Sequence, residues 1–277
     1  MFQHKLTGFR AAMGAISAVG AMALGGAASA KDLTMGTTSP TSSHFTISVA
    51  MSKAIETGME GTNVSVIETG ASVDNVLRLA RDEIDLGLAT TDILISARNG
   101  TGKFEGNAIP DTVALYPYSA SILLIAVTDE SGVTTLDELD GKKFNPGIRG
   151  SAAETLTTGV LTSSKMRLIG FTEEQEKAAT GAMEGVGFTT LPAELIPGSE
   201  AMRVPKLNVF FLTRTGVMDD QTAYDIARSI HQNMSLLTEA WPQLADYDIA
   251  ADAVATMEAG ITYHPGAERY WREAAGS

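Results

Sequence analysis

Three short polar stretches in this 277-residue sequence each follow an apolar run and precede a helical pattern. They span residues 37–43, 90–92 and 145–154. The start of a helix exposes N–H groups without intrahelical partners and the positive end of the helix dipole, so it suits a carboxylate or a phosphate. Each stretch can also be an ordinary helix cap, with Ser43 as the cap of the first helix. The three turns are therefore candidate anion sites.

The third stretch contains the strongest anion-binding pattern. Gly147 and Gly150 allow the backbone to fold around an anion, and Arg149 can hold a carboxylate through two parallel hydrogen bonds. Ser151 and Glu154 also match the S-x-x-E pattern of a capping box, which requires no ligand. A Walker loop is excluded because no Gly-Lys-Thr/Ser follows. A cap and an anion site can share these residues, so both interpretations stay open.

Catalytic patterns are weak in this sequence. His264 and Glu268 have the spacing of an acid–base or metal pair, but Pro265 and Gly266 intervene and no third ligand is suitably placed. A turn or cap that opens the last helix is the favoured interpretation of His264. No G-x-S-x-G elbow is present. The lack of cysteine excludes a thiol nucleophile, a disulfide scaffold and a Cys-ligated metal. We expect a protein without enzymatic activity, cofactor or metal.

Charge and the N-terminal segment indicate the environment. With 20 Lys+Arg and 33 Asp+Glu the formal net charge is −13, which argues against nucleic acid as a partner. Lys5 and Arg10 precede an apolar run over residues 11–27 and an Ala28-Ser29-Ala30 cleavage pattern. An uncleaved membrane anchor is disfavoured because the run consists mostly of small residues. We expect a signal peptide over residues 1–30, cleavage after Ala30 and a periplasmic, monomeric protein.

The apolar pattern repeats strand, loop and helix three times in the first half. Strands are expected over residues 31–35, 63–68 and 84–89, with helices over 44–58, over 73–80 and from Thr91 onward. This repeat is typical of a doubly wound α/β sheet, whose ligands bind beyond the carboxyl ends of the strands. Further on, we expect strands at 113–115, 122–127 and 208–213, and helices at 172–179 and 221–239. Residues 180–205 show no clear helix.

Several stretches together resemble the TAXI family of TRAP-transporter solute-binding proteins. Residues 264–273, HPGAERYWRE, are similar to that family's closing HPGAERYYRE motif. Residues 68–75 resemble its T-G-G-S-x-x-N turn, and residues 84–92 resemble its adlGlvqsD segment. Weaker similarities occur at 115–117 and 136–143. The matches follow the family's order along the chain, over residues 33–177 and again over 204–273.

The resemblance implies a type II periplasmic-binding-protein fold with two doubly wound α/β lobes and a cleft between them. Residues 31–118 and 214–277 would form the first lobe, and residues 119–213 the second. The cleft would close on a small anionic or zwitterionic solute, namely an organic acid or an acidic amino acid, for delivery to a TRAP membrane permease. The resemblance places on its loops Ser43, His44, Thr91, Asp92, Gly150 and Ser151, with Ser72 and Asn75 nearer its edge. We add Arg149 to these candidate ligand-binding residues because its guanidinium can pair with a carboxylate; the resemblance does not supply it.

The sequence also departs from this family in two places. Residues 38–45 lack the glycines of the family's first loop, and His44 and Phe45 occupy its tyrosine positions. Between Lys177 and Val204 the chain is too short for the family's G-k-x-D-A-x-F strand and the turn after it, so the second lobe is shortened. A second hypothesis therefore stays open, in which the protein is a sensory or protein-interaction module that has lost transport.

Overall fold

The computed structural model describes residues 31–142, 167–193 and 200–276. The expected signal peptide lies outside these ranges. So does the turn with Arg149, Gly150 and Ser151. None of the helices within the described ranges has both the length and the apolar character needed to cross a membrane.

The described strands and helices alternate in the first half of the chain, as the sequence predicts. The strands are β1 Asp32–Gly36, β2 Asn63–Ile67, β3 Leu86–Thr90, β4 Thr112–Ile122, β5 Ile125–Val127, β6 Arg167–Ile169, β7 Gly187–Leu191 and β8 Met202–Arg214. The α-helices are α1 Ser43–Gly58, α2 Ser72–Ala80, α3 Thr91–Asn99, α4 Glu173–Ala182, α5 Asp220–Gln232, α6 Met234–Ala240, α7 Ile249–Glu258 and α8 Pro265–Ala274.

The main sheet has the strand order β2-β1-β3-β8-β4. β1 pairs in parallel with β2 and β3, whereas β8 runs antiparallel to β3 and β4. The carboxyl ends of β1, β2 and β3, at Gly36, Ile67 and Thr90, therefore lie at the same end of the sheet, which we call the carboxyl edge. β1 and β2 lead through short turns into α1 and α2, and β3 leads directly into α3. This arrangement confirms the expected α/β class.

Two long strands connect the main sheet to a smaller unit. β8 pairs with β3 through residues 209–212 and with β7 through residues 202–206, and β4 runs beside β8 over most of its length. β5 and β6 form a separate antiparallel pair. Four buried residues of this unit form their own apolar cluster: Val127, Val133, Leu139 and Ile169. The two expected strands at 113–115 and 122–127 are in fact one long strand followed by a short one.

Local side-chain hydrogen bonds move two helix boundaries from where the sequence places them. The N-cap of α1 is Ser42 rather than Ser43, because the Ser42 hydroxyl accepts from the His44 N–H at 3.2 Å. The helix expected over 221–239 is divided into α5 and α6 at Asn233. The Asn233 amide donates to the Ser229 carbonyl at 2.8 Å and so competes with the backbone bonds of the helix.

The C-terminal motif at residues 264–273 forms a structural junction. His264 is the N-cap of α8: its Nδ1 accepts from the Gly266 N–H at 3.3 Å, and its Nε2 lies 3.0 Å from the Met218 carbonyl oxygen. Trp271 is fully buried and donates from Nε1 to the Leu115 carbonyl at 2.7 Å. These contacts confirm the interpretation of His264 as the residue that opens the last helix, and they fasten α8 to α5 and β4.

Gly266 provides a test of this junction. A Cβ at this position would overlap the backbone carbonyl of Asp220, so Gly266→Ala must push α8 away from α5. We expect the free energy of unfolding to fall by about 1–3 kcal/mol, measured by urea denaturation. Gly181→Ala is the matched control, because it lies in α4 with no atom near the added methyl group. That change should stabilise the protein by up to about 1 kcal/mol. Equal stability of the two variants would contradict the tight junction.

Candidate functional site

Buried polar side chains collect at the carboxyl edge. Most of them lie at or just after the ends of β1, β2 and β3. Ser119 of β4 lies near them because Val209 of β8 pairs with both Thr90 of β3 and Ser119. The buried members are Thr37, Thr38, Thr69, Ser72, Asn75, Thr90, Thr91, Asp92 and Ser119. Buried polar groups normally have hydrogen-bond partners, so the partners of each residue indicate what it does.

Asn75 joins the ends of the strands. Its amide donates to the carbonyl of Thr37 at 2.9 Å and to that of Leu88 at 2.8 Å, and its Oδ1 accepts from the Thr69 hydroxyl at 2.7 Å. Gly36 and Gly87 leave the room for this side chain, since a Cβ on either would lie within 3.0 Å of it. Both amide hydrogens of Asn75 are used, so its main effect is to position the turns after β1 and β2 against β3.

The turn before α2 holds an unusual backbone conformation. Ala71 has φ 69° and ψ −151°, a region occupied almost exclusively by glycine, and it lies at the second glycine of the T-G-G-S pattern. Its N–H donates to the Thr69 hydroxyl at 3.1 Å. Ser72 follows as the buried first residue of α2, which has no side-chain cap. The first turn of α2 therefore begins at the carboxyl edge.

Asp92 is a buried carboxylate at the start of α3. It is only 2% exposed, and within the described residues neither of its oxygens makes a well-formed hydrogen bond. Burial raises the pKa of Asp92, and the nearby Thr90 hydroxyl and the first amides of α3 offset this only in part. Thr91 lies beside it and donates from its hydroxyl to the Asn208 carbonyl of β8 at 3.2 Å.

A turn from the smaller unit covers the start of α3. Gly185 has φ 86° and lies close to the first residues of α3. A Cβ on Gly185 would be 2.9 Å from the Thr91 methyl group and 3.2 Å from the Asp92 backbone nitrogen. Only glycine fits both this backbone conformation and this space. The turn before β7 and the first turn of α3 therefore face each other directly.

His44 lies in an aromatic cluster in the first turn of α1. Its Nδ1 is 2.7 Å from the Tyr118 hydroxyl oxygen, and its ring makes edge-to-face contacts with Tyr118 and Trp241 at centroid distances of 5.8 and 6.0 Å. Burial lowers the pKa of His44, which keeps the imidazole neutral at pH 7. Burial also raises the pKa of Tyr118, so the phenol keeps its hydrogen.

The structure brings five of the residues selected from the sequence to the carboxyl edge: His44, Ser72, Asn75, Thr91 and Asp92. Ser43 is exposed on the first turn of α1. Sequence reasoning missed Tyr118 and Trp241, because one lies within an apolar strand pattern and the other follows a helix far along the chain. Their proximity to His44 has no signal in the sequence. Within the described ranges, no group of three or more His, Asp or Glu residues is arranged to hold a metal ion.

Solved structures similar to this chain include three binding proteins. The alkanesulfonate-binding protein SsuA from Xanthomonas axonopodis pv. citri, bound to MOPS, shares 18% identity over 87% of this chain and 83% of its own, with a TM-score of 0.38. A TctC solute binding protein from Polaromonas shares 12% identity over 90% and 99%, with a TM-score of 0.43. The sugar acid binding protein DctPAm from Advenella mimigardefordensis, in complex with galactonate, shares 10% identity over 87% and 89%, with a TM-score of 0.39.

A family model also matches most of the sequence. The model of the NMT1-like family matches residues 35–167 and 157–275, which together include most of the main sheet, the carboxyl edge and the C-terminal junction. On this match, the chain belongs to the NMT1-like family.

Proposed function

We propose that this protein is a periplasmic solute-binding subunit that captures a small organic acid or acidic amino acid at the carboxyl edge and delivers it to a TRAP-type membrane transporter. The observation that carries the proposal is the buried carboxylate of Asp92, whose oxygens make no well-formed hydrogen bond within the described residues. Membership of the NMT1-like family and the resemblance to the TAXI proteins support it.

The energetics of Asp92 favour a role in binding. A buried carboxylate without well-formed hydrogen bonds destabilises the folded chain, because the charged form loses its hydration and the protein replaces it only in part. Residues of this kind are typical of functional sites, where stability is lower than it could be. A hydroxyl or ammonium group of a bound solute would donate to Asp92 and replace the missing hydrogen bonds. In this proposal Asp92 therefore selects solutes that carry a donor group.

Arg149 would bind the acidic group of the same solute. Its guanidinium can pair with a carboxylate, and the glycines around it allow close approach of the backbone. The negative net charge does not oppose this, since distant charges are screened beyond about 8 Å at physiological salt. The turn at Gly185 would have to move away from α3 to admit the solute and then close over it, as when two units of a binding protein open and close around a ligand.

One observation favours the second hypothesis, a sensory or protein-interaction module without transport. The turn at Gly185 already lies against Thr91 and Asp92. If it cannot move away, a solute has no access to the start of α3. A solute screen separates the two functions.

A thermal-shift screen with organic acids and amino acids tests capture of a solute. A solute at about 100 times its dissociation constant adds about 2.7 kcal/mol to the free energy of unfolding, because it binds the folded chain alone. We expect a rise in melting temperature with at least one acid that also carries a hydroxyl or ammonium group. A screen without any shift would favour the module without transport.

Asp92→Asn should stabilise the protein without solute at pH 7. Because the folded state raises the pKa of Asp92, its carboxyl favours folding at low pH, and this contribution is lost as the pH rises from the ordinary value of 3.8 through the raised value. The variant should therefore gain more stability in urea denaturation at pH 7 than at pH 4. It should also bind the solute from the screen more weakly.

Asp246→Asn is the control for this change, because Asp246 is exposed and its substitution should leave both properties unchanged. An Asp92→Asn variant that is no more stable than the parent at pH 7 would show that the carboxylate already has adequate partners.

Arg149→Ala should weaken binding of a carboxylate-bearing solute by about 1–3 kcal/mol, the contribution of a charge-assisted hydrogen bond. Isothermal titration calorimetry measures this difference. Lys103→Ala removes an exposed positive charge at a distance in sequence from every predicted site residue, and it should leave the affinity unchanged. If the two variants bind equally well, Arg149 has no role in the site.

A further inference from the structure

The hydrogen bond between Tyr118 and His44 determines where the imidazole carries its hydrogen. Tyr118 is fully buried, and within the described residues its hydroxyl has one hydrogen-bond partner, His44 Nδ1 at 2.7 Å. If Nδ1 carried the hydrogen and donated it to the phenol oxygen, the phenolic hydrogen would remain buried without an acceptor, which is costly. Tyr118 must therefore donate to Nδ1. The neutral ring then carries its hydrogen on Nε2.

Two ring N–H groups of this cluster have no acceptor within the described residues. They are Nε2–H of His44 and Nε1–H of Trp241, whose rings meet edge to face at 6.0 Å. Both side chains are partly exposed, so solvent or a solute can reach them. The three side chains of the cluster come from the first turn of α1, from β4 and from Trp241 directly after α6. The backbone N–H of Trp241 donates to the Leu237 carbonyl at 2.8 Å.

The two ring N–H groups indicate which kind of solute group could accept hydrogen bonds from them. Among the described residues, no hydrogen bond or ion pair joins a carboxylate to the rings of His44, Tyr118 or Trp241. A pair of N–H donors on neighbouring rings suits an oxygen-rich group that accepts from both. Neutral donors also bind such a group without the desolvation of a second charge.

We propose that Tyr118 holds His44 as the Nε2–H tautomer, so that His44 and Trp241 together donate two neutral hydrogen bonds to a carboxylate of the captured solute. Tyr118 is a positioning residue in this arrangement. This inference rests on the proposed function and narrows its substrate class. A solute that donates to Asp92 and accepts from His44 and Trp241 is an amino acid or a hydroxy acid, rather than a plain dicarboxylate.

Nitrogen-15 spectra of the histidine rings in the mature protein test the tautomer without any solute. The chemical shifts of His44 should show a protonated Nε2 and an unprotonated Nδ1 that accepts a hydrogen bond, with His44→Gln used to assign the signals. In Tyr118→Phe, which keeps the ring and loses the donor, we expect a mixture of tautomers with the fold intact by circular dichroism. A protonated Nδ1 in the parent protein, or an unchanged spectrum in Tyr118→Phe, would overturn the proposal.

Titration with sodium acetate, at constant ionic strength, tests the donor pair with the simplest carboxylate. The His44 Nε2–H and Trp241 Nε1–H resonances should shift together with one dissociation constant, and methylammonium chloride should move neither. His44→Leu and Trp241→Phe should each weaken acetate binding by about tenfold, the loss of one hydrogen bond to a charged group. His44→Gln keeps an N–H near the position of Nε2 and should restore part of the affinity. Resonances that acetate does not move would overturn the proposal.

The outcomes also separate this inference from the proposed function. If acetate binds to the ring N–H groups of His44 and Trp241 but no solute of the thermal-shift screen stabilises the protein, the proposed function fails and the inference about this donor pair stands. If a solute from the screen binds the parent, His44→Leu and Trp241→Phe with equal affinity, the donor pair fails and the proposed function stands.

Discussion

The hydrogen bonds of the Asn75 side chain are the constraint on which the carboxyl edge depends. One amide donates to carbonyls after β1 and within β3 and accepts from the turn after β2, so three separate segments share a single buried group. Such a group is costly to leave unpaired, and its three partners must therefore stay together. The strained turn at Ala71 and the start of α3 belong to two of these segments and are positioned by the same group.

The site and the stability of the fold make opposite demands on the same residues. Asp92 is buried without a well-formed hydrogen bond among the described residues, and Ala71 is held in a conformation that suits glycine. Both features destabilise the folded chain, and the surrounding apolar core has to compensate for them. The C-terminal junction contributes to this compensation, because it buries Trp271 completely and fastens α8 to β4 through the hydrogen bond from its indole N–H to Leu115.

The two kinds of sequence motif in this chain have different roles. The motif at residues 264–273 is the most specific part of the family resemblance, yet the contacts of His264, Gly266 and Trp271 are those of a structural junction. Of the residues proposed to recognise the solute, His44 and Asp92 come from weaker patterns after β1 and β3, and Arg149 comes from the turn at residues 145–154, whereas no sequence pattern indicates Trp241. A strong motif therefore identifies the fold here, whereas the binding chemistry depends on individual side chains within common turns.

The sequence by itself was sufficient for the α/β class, the order of the first three strand–helix units and the role of His264, because apolar periodicity and helix-cap chemistry act over a few neighbouring residues. It also placed His44, Thr91 and Asp92 at strand ends. Only the tertiary structure decided that β4 and β8 continue as long strands into the smaller unit, that Gly185 lies against α3, and that Tyr118 and Trp241 meet His44. These contacts join residues far apart in the chain, and the packing that creates them leaves no periodic signal in the sequence around any one of them.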